Sequence, residues 1–297
     1  MPDWPDDRYP GKFLGKHQYT IDATMVDRYV AATGDDNPWY RERSPWGGPV
    51  APALLFHSEQ YAFPVDTWYL PELVGTLHVK QQWELFRAIP LGATVTTTLQ
   101  VVDRYVRRDR DVVVVECGVF EEQGALAARS RCHQSFLRDQ QPDRDVAAPG
   151  RERLHAGPEE AERRELERLE PVTQRVDLER CVAFSGPKVN LHTNIEAARS
   201  YGFPAIVVQG TMSTAFISQM MTRRFGAGWY EGGRLDLNFV NVLWCDETVT
   251  AAGAVTEEMV EGSRRRSVCD VWTEKGPGTK TTAGRASALT WDKGASG

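Results

Sequence analysis

Two stretches of this 297-residue chain carry side chains suited to moving protons. The first reads Thr33-Gly34-Asp35-Asp36-Asn37-Pro38-Trp39-Tyr40 and the second Ser185-Gly186-Pro187-Lys188-Val189-Asn190-Leu191-His192. Histidine is the side chain that changes charge nearest neutral pH, so His192 is a candidate general acid or base. Tyr40, with an unperturbed pKa of about 10, donates a hydrogen bond at pH 7 rather than accepting a proton. Asp35 offers a carboxylate, and Asn37 and Asn190 offer amides. Each also has a plainer reading. Gly-Asp-Asp-Asn-Pro is turn chemistry in its own right, Asn190 and Asn194 suit a helix cap, and His192 fits a packing histidine before the helix expected over Asn194 to Tyr201. Two further polar groups, His57 and Glu59, interrupt the apolar run Leu54-Leu55-Phe56-His57-Ser58-Glu59-Gln60, where burial would oblige them to find partners.

The elements that must position these groups occur twice. A short helical pattern precedes each stretch, Thr24 to Ala32 and Leu178 to Phe184, with Gly34 or Gly186 to stop it. A longer helix, apolar nearly all round, follows each: Ala53 to Phe63 and Thr211 to Phe225. Four strand patterns come next in both halves. They are Leu77 to Phe86, Thr94 to Tyr105, Val112 to Phe120 and Ala127 to Phe136, then Arg234 to Val242, Thr248 to Val255, Arg265 to Thr273 and Thr281 to Thr290. One motif duplicated in tandem is the reading, of α+β class, each half a helix wrapped by an antiparallel sheet. Pairing two such units edge to edge protects their open strands. A charged stretch, residues 141–170, is expected to link a first domain, 1–140, to a second, 171–297, with a short solvated helix over Pro158 to Leu169.

Composition excludes several classes. Hydrophobic residues are 41% and charged residues 26%, so the chain can bury two cores of ordinary size, and no apolar run reaches membrane-spanning length. Met1 to Pro10 combines four Asp/Arg charges with three prolines, unlike an export signal, which leads us to expect a cytoplasmic protein. Five cysteines without a CxxC pair point to neither a disulfide framework nor a metal site. With a net charge of −6 and basic residues interleaved with acids, a nucleic-acid partner is not expected, nor is a cofactor or a membrane. A homodimer is compatible with the duplicated plan.

The first stretch resembles the (S/T)GDxNPxH signature of MaoC-like (R)-specific enoyl-CoA hydratases and the related 3-hydroxyacyl-thioester dehydratases, and the second resembles it more distantly. The resemblance spans about residues 15–137 and 171–290 and implies a tandem double hotdog acting on an acyl-CoA or acyl-carrier-protein thioester. It further implies an Asp and a His that hold the water added across the double bond, and a backbone N–H at the start of the central helix that binds the thioester oxygen. That donor would be Gly210 or Thr211 in Val208-Gln209-Gly210-Thr211. Negative charge developing on the oxygen must be met by fixed donors, and the first N–H groups of a helix have no internal partner.

The signature is divided between the halves. Asp35 and Asn37 stand in place in the first, but Tyr40 takes the His position; His192 stands in place in the second, but Pro187 and Val189 take the Asp and Asn positions. On the pattern of double hotdogs that keep chemistry in one half, His192, Gly210 and Asp35 are the expected catalytic groups, with the second half as the catalytic one. Asn37, Tyr40, Asn190, Gln209, Thr211, His57 and Glu59 are expected around the substrate, and a pairing of Glu59 with His192 would resemble hotdog dehydratases that join a His from one unit to a carboxylate from the other. Lys188 suits either a substrate phosphate or open surface. Three functions follow: a hydratase or dehydratase; a hotdog enzyme using a single acid/base group for isomerisation, conjugate addition or cyclisation; and a non-catalytic acyl-binding subunit.

Overall fold

Alternation of buried and exposed residues along Thr94–Arg107 and similar runs builds a single large sheet, because residues two apart share a face and the apolar ones must share the core. The computed structural model describes residues 6–140, 147, 165–262 and 264–290. Its strands are β1 (Phe13–Thr20), β2 (Leu77–Leu85), β3 (Thr94–Arg107), β4 (Arg110–Glu121), β5 (Leu126–Leu137), β6 (Glu167–Arg168), β7 (Val172–Arg175), β8 (Arg234–Phe239), β9 (Thr248–Glu261), β10 (Arg264–Glu274) and β11 (Lys280–Thr290). The helices are α1 (Ala23–Thr33), α2 (Leu178–Ser185), α3 (Ile195–Ser200), α4 (Gly210–Phe225) and α5 (Ala227–Tyr230).

Strand order is β1-β3-β4-β5-β2-β8-β11-β10-β9-β6, with β7 also on β9, and every pairing is antiparallel. The two halves meet where β2 pairs β8, from Lys80↔Asn238 to Glu84↔Arg234. One sheet therefore runs through both halves, each edge strand of one completing the other. Helix α4 lies against its second half, buried along nearly its whole length by β7, β9, β10 and β11. Four of the five cysteines are buried and all are free thiols. Among the described residues no helix is long and apolar enough to cross a membrane.

Two expectations are corrected. Ala53 to Phe63 is not an α-helix but a series of turns ending in the 3₁₀ segment Glu59–Ala62. Its N–H groups reach back three residues, as in His57 to Leu54 and Tyr61 to Ser58, and Pro64 follows immediately. Phe63, placed before Pro64, is driven to an extended backbone with ψ 152°, which ends the winding, while the His57 and Ser58 side chains bond to each other. The end of the helix expected over Pro158 to Leu169 is also not helical: Glu167–Arg168 pairs with Val255 and Ala254 of β9, and Leu169 is buried. The second half's sheet thus starts upstream of residue 171, while the rest of the expected linker and helix, Ala147 and Glu165–Leu166 aside, lies outside the described residues.

Candidate functional site

Helix α4 begins at a position its neighbours have shaped. A Cβ on Gly210 would stand 2.8 Å from Cε1 of Phe239, so any larger residue there must displace that ring. Phe239 in turn lies 4.7 Å, centroid to centroid, from His78 at the start of β2, which the β2–β8 pairing brings over from the first half. Helices α1, α2 and α3 are each closed by an N-cap side chain, from Asp22, Asp177 and Asn194. The α4 N-cap, Gln209, does not bond to its own helix. Its side chain is held elsewhere: Ser185 donates to Gln209 Oε1 at 2.6 Å, and Gln209 Nε2 donates to Ser58 Oγ at 2.8 Å. Met212 N–H is met by the Gln209 carbonyl, which leaves Gly210 and Thr211 as the N–H groups that neither the helix nor a cap occupies.

The second signature stretch is tied to this N-terminus. His192 Nδ1 lies 2.8 Å from the Val207 carbonyl, which can only accept, so Nδ1 carries the hydrogen and Nε2 presents a lone pair. Burial lowers the His192 pKa to about 4, the Val207 bond opposing that shift, and the ring is neutral at pH 7. Asn190 organises the loop around it: Oδ1 accepts the His192 N–H at 2.8 Å, and Nδ2 donates to the carbonyls of Ser185 and Lys188. Asn37 makes the same turn in the first half by accepting the Trp39 N–H at 3.0 Å. The Asn of the second turn is therefore Asn190, one residue nearer the His than the signature spacing places it.

In the first stretch the polar groups close on themselves. Tyr40 donates to Asp35 Oδ2 at 2.6 Å, with both side chains buried. Burial pushes the Asp35 carboxyl up, against the pull of Tyr40, and holds the Tyr40 hydroxyl protonated. Tyr29 and Tyr230 surround the pair electrostatically. The loop docks on the far part of α4, where Gln219 Nε2 donates to the Gly34 carbonyl at 3.3 Å. Asn37, Tyr40 and Asn190, expected against substrate, thus spend their polar groups within the protein.

The remaining expected residues divide. His57 joins the α4 cluster: Ser58 Oγ, which accepts from Gln209, can donate to His57 Nδ1 at 2.6 Å, and the ring stacks on Phe184 at 3.7 Å. Burial drives its pKa down to about 3, with Arg28 adding to the shift. Glu59 does not join it. Its carboxyl, pushed up by burial, faces Tyr19 and Thr97 of its own half, so the pairing with His192 is replaced by an enclosed group inside the first half. Thr211 Oγ1 is buried without a hydrogen-bond partner among the described residues, and Lys188 is exposed. Sequence reasoning missed Ser58, Ser185, His78 and Phe239. Ser185 lay inside the signature stretch, but nothing along the chain marked His78 or Phe239, which meet α4 only across paired strands.

A groove of about 360 Å³ on the solvent face, where β2 meets β8, is lined by Arg129, Arg131, Arg266 and Arg285 among others. These pair with Glu84, Glu116, Glu261, Glu257 and Asp270, a salt-bridge surface that shares no lining residue with either signature loop.

Comparison with known proteins bears on the whole arrangement. Residues 8–129 match the family described as FAS1-like, dehydratase domain region. A structure described as a MaoC-like dehydratase superposes with a TM-score of 0.72 at 13% identity, covering 94% of this chain and 98% of that one. The chain has the double-hotdog fold of the MaoC-like dehydratases. A MaoC-like dehydratase from Phytophthora capsici superposes with a TM-score of 0.65 and 16% identity, with 96% and 99% of the two chains covered. A conserved hypothetical protein of Mycobacterium tuberculosis, described as a double hotdog fold, aligns at 0.59 and 11% identity over 93% and 94%. No curated protein matches the sequence. Within this double hotdog the isolated bridges Val50↔Pro90 and Val207↔Trp244 mark equivalent points before the central segments, so Pro52 and Ala53 stand where the second half has Gln209 and Gly210.

Proposed function

We propose that the protein adds or removes water at the β-carbon of an acyl thioester, carried on CoA or an acyl-carrier protein, with the chemistry in the second half. The observation that carries this reading is an uncapped α4 N-terminus beside a histidine whose Nε2 is a free base. In the dehydration direction His192 Nε2 takes the α-proton, and the charge that moves onto the thioester oxygen is met by the Gly210 and Thr211 N–H groups. The β-hydroxyl then leaves, and His192 returns the same proton to it. The Cα–H and Cβ–O bonds break, the double bond forms, and water departs; hydration is the reverse. One group serving both steps suits a site with Pro187 where the signature has Asp.

The first half, residues 1–140, would accommodate the acyl chain, joined through 141–170 to the catalytic 171–297. Its Asp35–Tyr40 pair is spent on packing, which favours a structural role for both over the catalytic one expected of Asp35. Pro187 also favours a second reading, a proton shift or conjugate addition that needs only one base. A cytoplasmic location and a homodimeric assembly complete the proposal. The test is loss of the conjugated thioester absorbance of crotonyl-CoA and longer 2-enoyl thioesters with purified protein. Hydration at ordinary enzymatic rates supports the first reading, whereas acyl-thioester binding without hydration removes it in favour of the single-base enzyme or an acyl-binding subunit.

A further inference from the structure

Gln209 occupies the position from which a side chain would normally close a helix. In α1, α2 and α3 that position holds Asp22, Asp177 and Asn194, each accepting the N–H three residues on. Gln209 is instead almost fully buried and stretched between two serines from different halves, Ser185 at the end of α2 and Ser58 in the first half's turn segment. The direction of the bonds is consistent throughout: Ser185 gives to Gln209, Gln209 gives to Ser58, and Ser58 is left to give to His57 Nδ1. His57 is neutral, so it can receive that hydrogen. The buried, unpartnered Thr211 Oγ1 in the first turn marks the same end as one whose polar groups are kept free.

We infer that Ser185-Gln209-Ser58-His57 is a clamp that holds the Gln209 side chain away from the start of α4, keeping the Gly210 and Thr211 N–H groups open for an acyl oxygen. Gln209, Ser185 and Ser58 are then positioning residues, and the second half's site is complete only with the first half's Ser58 and His57 in place. A longer amide is what the task requires. An Asp or Asn at 209 would fold back onto its own first turn, at the N–H of Thr211 or Met212, and stand in front of the open Gly210 and Thr211 N–H groups, whereas Gln spans to the serines. Pro52, at the equivalent place in the first half, has no polar side chain and so cannot be held in this way.

This inference rests on the proposed thioester chemistry for its effect on turnover but not for its effect on stability. The decisive variant is Gln209→Asp, in which a cap replaces the clamp. It exchanges two side-chain hydrogen bonds for a cap, so Tm is expected to move by no more than about 3 °C, while crotonyl-CoA hydration falls by about tenfold or more with KM changed less than kcat. A residue that merely packs would lose stability and turnover together. Ser185→Ala is expected to lower kcat by about fivefold and Ser185→Thr to restore it, since Thr33 fills the matching place in the first half. A Tm lowered by more than about 5 °C in Gln209→Asp, or an unchanged kcat, overturns the clamp. If the wild-type protein hydrates no enoyl thioester, the functional reading fails, and the clamp is judged on Tm and on amide exchange of the peptide spanning 208–213. Exchange slowed by Gln209→Asp upholds it, and unchanged exchange overturns it.

Discussion

His192 and Tyr40 occupy matching places in the duplicated plan, yet their surroundings give them different work. The His192 ring is fixed by the Val207 carbonyl in the form whose Nε2 can accept a proton, whereas the Tyr40 hydroxyl is committed to Asp35. His192→Ala is expected to lower turnover by about 100-fold, the scale of a positioned acid/base group, with little change in KM. Tyr40→Phe should leave turnover within a few fold but reduce stability by about 1–3 kcal/mol in chemical denaturation, because the buried Asp35 loses its donor. Histidine burial also sets an acid limit. With a folded pKa of about 3 against about 6.5 unfolded, His57 is depressed in the fold, so the unfolded chain binds more protons below neutrality. Stability is then complete above pH ~6.5 and falls as the pH drops, by about 2 kcal/mol between pH 7 and pH 5 from His57 alone. His78 and His192, lowered to about 3 and about 4, act in the same direction. Denaturation at the two pH values checks this, and a His57→Gln variant with the same pH slope as wild type would remove His57 from the account.

At the level of elements, two glycines decide how closely backbone can approach backbone or ring. Gly210 lies under Phe239, whose ring is the flexible end of a side chain, so Gly210→Ala is expected to be folded but to push that ring toward His78. If the proposed chemistry takes place there, turnover should fall by about tenfold or more while Tm changes little, since small displacements beside reacting atoms are costly. Gly284 on β11 has no such latitude. A Cβ there would collide with the Asp236 carbonyl oxygen on β8, and backbone in a ladder cannot swing aside. Gly284→Ala is expected to cost about 2 kcal/mol or more, read from the denaturation midpoint. A variant as stable as the parent would mean that β8 and β11 are spaced more widely than described.

Across the whole molecule, α4 serves both halves. Its N-terminus faces the second signature loop through Gln209, and its later turns hold the first loop through Gln219 and the Gly34 carbonyl. The aromatic group of Trp39, Trp46 and Tyr230 fastens the first loop to α5, reinforced by Trp46 donating to Glu231 at 2.8 Å. Removing the second half would therefore expose the β2 edge and strip the cover from the first loop. Residues 1–140 expressed alone are expected to self-associate, as measured by light scattering after size exclusion. A stable monomer would count against the shared sheet as the source of the fold.

The alternation of apolar residues in the strands, the glycine stop of α1 and the position of α4 were legible along the chain, because each follows from local pattern or from one residue's backbone preference. So was the duplication of an α+β unit, while the double hotdog followed from the resemblance of the two signature stretches. The winding of residues 53–63 was not, since an apolar run reads the same whether its N–H groups reach back three residues or four. Nor was the short strand at Glu167–Arg168, whose charged sequence pairs only because β9 extends alongside it. The candidate site divides in the same way. Its residue types, His192, Gly210 and Gln209, stand close together in sequence, and the resemblance of the two stretches to the hydratase signature suggested their chemistry. That Asp35 would be consumed by Tyr40, that Glu59 would face Tyr19, and that Ser58, with His57 behind it, would reach Gln209 across 151 positions of chain depended on which groups the β2–β8 junction and α4 bring together. Hydrogen-bond partners are chosen by distance in space, and sequence fixes that distance only after the sheet has closed.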